Sequence, residues 1–306
     1  MGRSTSGVAR KTARQAVLAV LSVWLAVSGA MPQAIAAEAR KHLHFAVNLR
    51  GDYAAAASVG FNLADVSTLS ALGALPERMK GVYWLGNGYN TKCSWRLSDG
   101  QIVEVVKAVK NHPKFSGIYY IADEPHPALC PDAPQRLLER TALIHSLDPH
   151  GKTFVLVLNN SAAPTEFAQM KDSADYIGVD PYPCNRKNEL TGCNYTALGN
   201  RIEQALAAGI AATKIVPVFQ AFGQACTRSG QNYYRLPTVA ETEAMLRIWD
   251  EKVPVKDRPF DMVYSWGEQP TLACPTLKRA DGSSYPNLRS VYMNYFARMD
   301  ASSRRR

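Results

Sequence analysis

From residue 44 onward the chain alternates between two hydrophobic patterns, and this alternation limits the fold more than any other feature. Short β-branched or aromatic runs, each ending in a polar cluster, occupy His44–Asn48, Phe61–Val66, Gly81–Leu85, Gly117–Ala122, Thr153–Leu158, Tyr176–Val179, Ile215–Phe219 and Met262–Trp266. Between them lie stretches with helical spacing: Gln101–Lys110, Pro134–Leu147, Ala197–Ala208, Val239–Asp250 and Leu288–Arg298. In the first of these Ile102, Val103, Val105, Val106 and Val109 recur as one face of a helix would require. Lys80, Lys152 and Lys214 each stand close before a run, where a helix gives way to the next strand. Strands alternating with helices imply an α/β fold with a parallel sheet covered on its faces. Eight such units in ~270 residues match a single closed (β/α)8 TIM barrel. An open doubly wound sheet would carry a Gly-rich phosphate turn after its first strand, and Asn48-Leu49-Arg50-Gly51-Asp52 is not one. No Pro/Ser/Gly tract divides the chain, so residues 37–306 read as one domain.

The first 36 residues read as a signal peptide. Arg10, Lys11 and Arg14 precede an apolar run from Ala16 to Met31, and Ala34-Ile35-Ala36 supplies a small-x-small cleavage pattern. A membrane anchor is the competing reading, but the run falls short of the ~20 residues that a span requires and contains Ser22, Ser28 and Gly29. The mature chain is expected to be secreted, soluble and monomeric. Removing the four cations of the leader and the three terminal arginines reduces the formal charge from +9 to +2, so the body lacks the basic face that nucleic acid would need.

Six cysteines in an exported chain favour disulfides, although six permit 15 pairings. Cys184 and Cys193 bracket a short polar loop and are paired first. Cys93–Cys130 and Cys226–Cys274 follow, each cysteine lying past a predicted strand end. The spacings match no zinc finger or ribbon.

In barrels of this class the chemistry sits at the carboxyl ends of the strands. Those ends carry Asn48 and Arg50, Asp65, Trp84 and Asn87, Asp123 and Glu124, Asn159 and Asn160, Asp180 and Tyr182, Gln220, and Trp266 with Glu268. The amino-terminal edges show only lysines and small residues. A ring of carboxylates, amides and flat aromatics suits a sugar: one carboxyl protonates the leaving oxygen, another attacks or activates water, and aromatic faces cover the rings. A phosphate substrate would call for Gly-rich loops and several cations, and a redox cofactor for its own fingerprint. Neither appears, so no cofactor is implied. The loop aromatics Tyr53, Tyr89, Trp95, Tyr233 and Tyr234 either form outer sugar subsites or pack over loops.

Three segments resemble a known group. Ile121-Ala122-Asp123-Glu124-Pro125 resembles the Asn-Glu-Pro signature at the fourth strand of the clan A retaining glycoside hydrolases. Asp175 to Tyr182 is similar to their sixth strand, and Tyr264-Ser265-Trp266 to their eighth, where a Trp floors the sugar site. The whole mature chain also looks like a set of secreted actinobacterial barrel proteins of that superfamily. The resemblance makes Glu124 the acid/base and places Asp123 where the clan's Asn binds the sugar. Pro125 is expected to hold Glu124 in extended backbone geometry. The clan's nucleophile position at strand seven is Gln220, an amide that can neither form a glycosyl ester nor act as a base.

Three routes around Gln220 remain. Glu268 could reach in as nucleophile or base. Asp180 could activate water from ~6.5–9.5 Å away. A neighbouring carboxylate could instead assist a substrate acetamido group. In the first two, Glu124 should have a raised pKa and the second carboxylate should stay ionised. The reading is thus a glycosidase acting on a poly- or oligosaccharide, with Glu124, Asp180 and Glu268 as catalytic candidates. Asp123, Asn48, Arg50, Asp65, Trp84, Asn159, Tyr182, Gln220 and Trp266 are its binding candidates. The same ring could hold a polysaccharide without cleaving it. Asp123, Glu124, His126 and Asp180 could instead converge on a metal, although no histidine pair has i, i+4 spacing and no metal is implied.

Overall fold

A computed structural model describes residues 41–159, 165–226 and 232–303; the segment expected to be a signal peptide and Asn160 lie outside them. Eight strand–helix units follow one another: β1 (His44–Ala46), α1 (Tyr53–Val59), β2 (Leu63–Val66), α2 (Leu69–Gly73), β3 (Lys80–Trp84), α3 (Asp99–Val109), β4 (Phe115–Asp123) and α4 (Ala133–Leu147). The second half comprises β5 (Lys152–Val157), α5 (Thr165–Met170), β6 (Tyr176–Val179), α6 (Tyr195–Ala207), β7 (Ile215–Gln220), α7 (Val239–Lys252), β8 (Asp261–Tyr264) and α8 (Leu288–Ser303). Every neighbouring pair of strands is parallel, and β1 pairs with β8 to close the barrel. All eight predicted strand runs are present. The short helices α1, α2 and α5 add to the five helical stretches read from periodicity.

Strand side chains alternate between two cores, as the period of two requires. Phe45, Leu63, Val82, Ile118, Tyr120, Phe154, Leu156, Val216, Val218 and Met262 fill the barrel interior. Ala46, Ala64, Tyr83, Tyr119, Val155, Ile177, Phe219 and Val263 pack outward against the helices. Gly178 takes an inward position because Phe154 occupies the space: a Cβ there would lie 2.9 Å from the Phe154 ring. The same alternation sends Asp65, Trp84, Asp180 and Tyr264, each two residues beyond an inward position, toward the carboxyl mouth. Capping boxes at Ser98/Gln101 and Thr238/Glu241 start α3 and α7.

Three disulfides, Cys93–Cys130, Cys184–Cys193 and Cys226–Cys274, tie the loops that follow the strands, as paired from the sequence. They fit an oxidising compartment. No described helix is long and apolar enough to cross a membrane. The amino-terminal face departs from the expected lysines and small residues. There His44 Nδ1 lies 3.0 Å from Asp261 Oδ2, the His44 ring stacks on Phe296, and buried Arg258 bonds Asp250. A cavity of about 870 Å³ opens on this face, larger than the one at the mouth but remote from the carboxylate ring.

Candidate active site

The loop after β4 carries the central residue. Glu124 has φ +49°, in the left-handed region, not the extended geometry expected before a proline. The register between β4 and β5 shifts between Tyr120 and Ala122, and the Glu124 N–H then bonds the Leu156 carbonyl at 3.0 Å. That bond fixes the residue where the bulge leaves it. A non-glycine residue so placed costs on the order of 1–3 kcal/mol, strain that clusters at functional sites. Asn48 and Arg50, after β1, share the left-handed region at φ +62° and +47°.

Two carboxyl groups act on Glu124, and a third, that of Asp65, lines the same cavity. Asp180, at the end of β6, is buried beside Glu124. Burial, then the Glu124 charge, push its carboxyl well above the usual range. A like charge so near disfavours a second ionised carboxyl. Burial and the neighbouring Glu124 charge both work against the ionised Asp180 expected of a base. Among the described residues, no hydrogen-bond partner reaches the buried Asp180 Oδ2. Asp123 accepts a 2.7 Å bond from the Tyr120 hydroxyl, and its N–H donates to Asn87 Oδ1 at 3.1 Å. Burial and the Glu124 charge raise it to about 6, against the Tyr120 bond. Asp65 accepts the Asn48 and Leu49 N–H groups at 3.0 and 3.3 Å, which anchors the loop after β1.

These groups surround a cavity of about 330 Å³ walled by Trp84, Tyr120, Tyr182, Phe222, Tyr234 and Tyr264, with Asn48, Asp65, Asp123 and Glu124 among its polar lining. Trp84 packs on Tyr120 at 4.5 Å, and Tyr182 stacks against Tyr264 at 5.8 Å. The Tyr264 hydroxyl donates to Gln269 Oε1, and Gln269 Nε2 donates to Asn48 Oδ1 at 3.2 Å, linking β8 to β1 across the rim. Tyr182 and Tyr234 also wall a smaller neighbouring space of about 220 Å³, which Asp180, Asn159 and Arg201 line. Glu124 thus faces one space and Asp180 the other.

Other sequence candidates lie elsewhere. Gln220 is fully buried: its Nε2 donates to the carbonyls of Cys184 (2.8 Å) and Arg235 (3.0 Å), and its Oε1 accepts the Cys184 N–H (2.9 Å). It clamps two loops and does not line the cavity. Trp266 is also buried, bonding Asp52 at 2.9 Å and packing on Phe61, because β8 ends at Tyr264 and the chain turns before the Trp. Tyr264 stands in the cavity instead. Glu268 is paired with Arg279 and does not line the cavity. Asn159 donates to Gln204 of α6 at 3.0 Å, and Arg50 is exposed, close enough to Asp65 for its charge to act there. Asp123, Glu124, His126 and Asp180 do not bring three ligand atoms within 4.8 Å of one another.

Of the loop aromatics, Tyr234 reaches the cavity. Tyr53 packs in the helix shell, Tyr89 packs edge-on against Trp95, and Tyr233 is 46% exposed. The sequence reading missed Tyr120, Phe222, Gln224, Tyr264, Gln269 and Leu272 as lining residues. Only Tyr120 and Tyr264 carried a signal, their inward strand parity.

No protein-family model matches the sequence, and no curated protein matches it. Solved structures do match by shape. A β-glucuronidase of Ruminococcus gnavus aligns with TM-score 0.57 and 10% identity over 84% of this chain and 50% of that one. A β-glucuronidase of Bifidobacterium dentium, complexed with coumarin-3-O-glucuronide, aligns with TM-score 0.54 and 11% identity over 84% of this chain and 46% of that one. The chain spans about half the length of these enzymes. At such identities the likeness is one of fold: the protein is built on the (β/α)8 barrel that these glycosidases contain.

Proposed function

We propose that the protein is a secreted glycoside hydrolase acting on a poly- or oligosaccharide, with Glu124 as general acid/base. The observation that carries this reading is the cluster of Glu124, Asp123 and buried Asp180 at an aromatic-walled cavity. In this reading Glu124 and Asp180 hold one proton between them at rest, and Glu124 delivers it. Giving that proton to the leaving oxygen leaves two negative charges, which favour the positive charge developing at the anomeric carbon. Trp84, Tyr182 and Tyr264 offer flat faces for sugar rings, and Asp123 and Asn48 offer polar atoms for hydroxyls.

Attack on the anomeric carbon needs a nucleophile. With Gln220 locked in the loops and Glu268 paired to Arg279, the geometry favours substrate assistance. The carbonyl oxygen of a 2-acetamido group attacks the anomeric carbon, the leaving oxygen takes the proton that Glu124 delivers, and Asp123, which lines the same cavity, accepts the acetamido N–H. Water then opens the cyclic intermediate, with Glu124 taking a proton back. The substrate class is accordingly an acetamido-sugar polymer.

Hydrolysis of a polysaccharide panel by purified protein and its Glu124→Gln variant tests this. Activity on N-acetylhexosamine oligomers, lost by at least about 100-fold in the variant with binding retained, is the expected result. Equal activity in both proteins removes Glu124 from the reaction, and cleavage of 2-hydroxy sugars alone removes substrate assistance. The same two turned-away residues support a second reading, a barrel that binds polysaccharide without cleaving it. Binding of the panel with no hydrolysis by the unaltered protein would select it.

A further inference from the structure

The first and last strands meet at the amino-terminal face, and three potential metal ligands converge there. His42 precedes β1, His44 opens it, and Asp261 opens β8 as the register partner of His44. Their ligand atoms lie within 4.8 Å of one another. His44 Nδ1 and His42 Nε2 approach the same oxygen, Asp261 Oδ2, at 3.0 and 3.6 Å. The longer distance is not a hydrogen bond. Among the described residues His42 Nε2 has no hydrogen-bond partner, on a side chain only 9% exposed, so a buried nitrogen is aimed at a carboxylate that it does not bond.

An ion supplies the missing connection. Tetrahedral zinc with ligands at about 2.0–2.1 Å sets its donors about 3.3 Å apart, and the two observed distances bracket that value. Two imidazoles and one carboxylate form a donor set that zinc takes, with a water in the fourth position. His42 lines the large base cavity, which gives a hydrated ion access. Of the cations that line this cavity with His42, which include Lys41, Lys152 and Lys256, Arg258 has its N–H groups committed to Val253 O, Tyr295 Oη and Asp250 Oδ1 at 2.7, 2.9 and 2.7 Å. Asp300 accepts the His42 backbone N–H at 3.3 Å and adds negative charge behind the site.

We propose that His42, His44 and Asp261 form a Zn²⁺ site that pins β1 to β8 at the base of the barrel. The ion takes the place of the proton between His44 Nδ1 and Asp261, and it ties the chain's entrance into the barrel to its last strand. The site lies at the opposite end from Glu124, so its role is stability, separate from hydrolysis.

The test uses tag-free protein stripped with a chelator and titrated with ZnCl2. Calorimetry is expected to give one ion per chain. The melting temperature should rise by about 5–10 °C at a hundredfold excess over Kd. Co²⁺ in place of zinc should give the intense visible absorption of a four-coordinate ion. His42→Ala should weaken Zn²⁺ binding by at least about tenfold, whereas His150→Ala, in the same cavity but outside the cluster, should leave it unchanged. Absence of one-to-one binding by the unaltered protein, or equal affinity in His42→Ala, overturns the proposal. Should His42→Ala fail to fold, the Co²⁺ spectrum of the unaltered protein decides: no four-coordinate bands, no site.

Discussion

Asp123 shows how the site trades stability for charge. Its carboxyl is raised to about 6 by burial and by Glu124, whereas in the unfolded chain it titrates near 3.8. Between those values the folded state binds the proton more tightly, so the group's contribution to stability falls as pH rises from about 4 to 6 and is level above. Asp123→Asn removes that loss and keeps an acceptor for the Tyr120 hydroxyl. The variant is expected to match the parent near pH 4 and to exceed it by about 1–2 kcal/mol at pH 7, a shift discounted for partial exposure to the cavity. Urea denaturation of both proteins across that range checks it, and a constant difference would show that Asp123 titrates normally. The sequence marked Asp123, Glu124 and Asp180 as candidates because strand parity and strand-end position are local properties. It did not show that Asp180 is buried beside Glu124, since that depends on how far β4 bulges against β5.

At the level of elements, the strands were legible and their ends were not. Inward and outward positions follow a period of two that any run of Val, Ile and Phe displays. The helices α1, α2 and α5, of 7, 5 and 6 residues, are too short for a helical period to repeat. Where a strand stops decides the aim of every later residue, and the two largest misreadings arose there. β8 ends at Tyr264, which hands the cavity position expected for Trp266 to Tyr264. β7 ends at Gln220, whose amide is drawn sideways by the carbonyls of Cys184 and Arg235. An amide is needed there because the position both donates and accepts. Gln220→Glu, which superficially restores a clan-type nucleophile, would set a carboxylate against two carbonyl oxygens. It is expected to cost about 2–5 kcal/mol in urea unfolding and to confer no new hydrolysis. Unchanged stability together with increased turnover would place residue 220 in the cavity after all.

For the whole molecule, the disulfides divide the labour between barrel and loops. The barrel closes through strand pairing and two hydrophobic layers, with no cysteine in its strands. The bridges span 37, 9 and 48 residues and lie on the side where the strands end. One joins the loop after β3 to the loop after β4. Another closes the loop after β6, whose Cys184 backbone holds Gln220. The third joins the loops after β7 and β8, and Phe222, Gln224, Gln269 and Leu272 on those loops line the cavity. Loop-closure entropy assigns each bridge about 2.5–4 kcal/mol. Reduction should therefore loosen the cavity before the barrel, and the melting temperature should fall by about 10 °C or more. Binding of sugar oligomers should weaken at room temperature, while the far-ultraviolet circular dichroism stays close to that of the oxidised protein. A reduced protein that loses its helical spectrum at once would show that the barrel itself depends on the bridges, and one that binds sugar unchanged would show that the loops hold their shape without them.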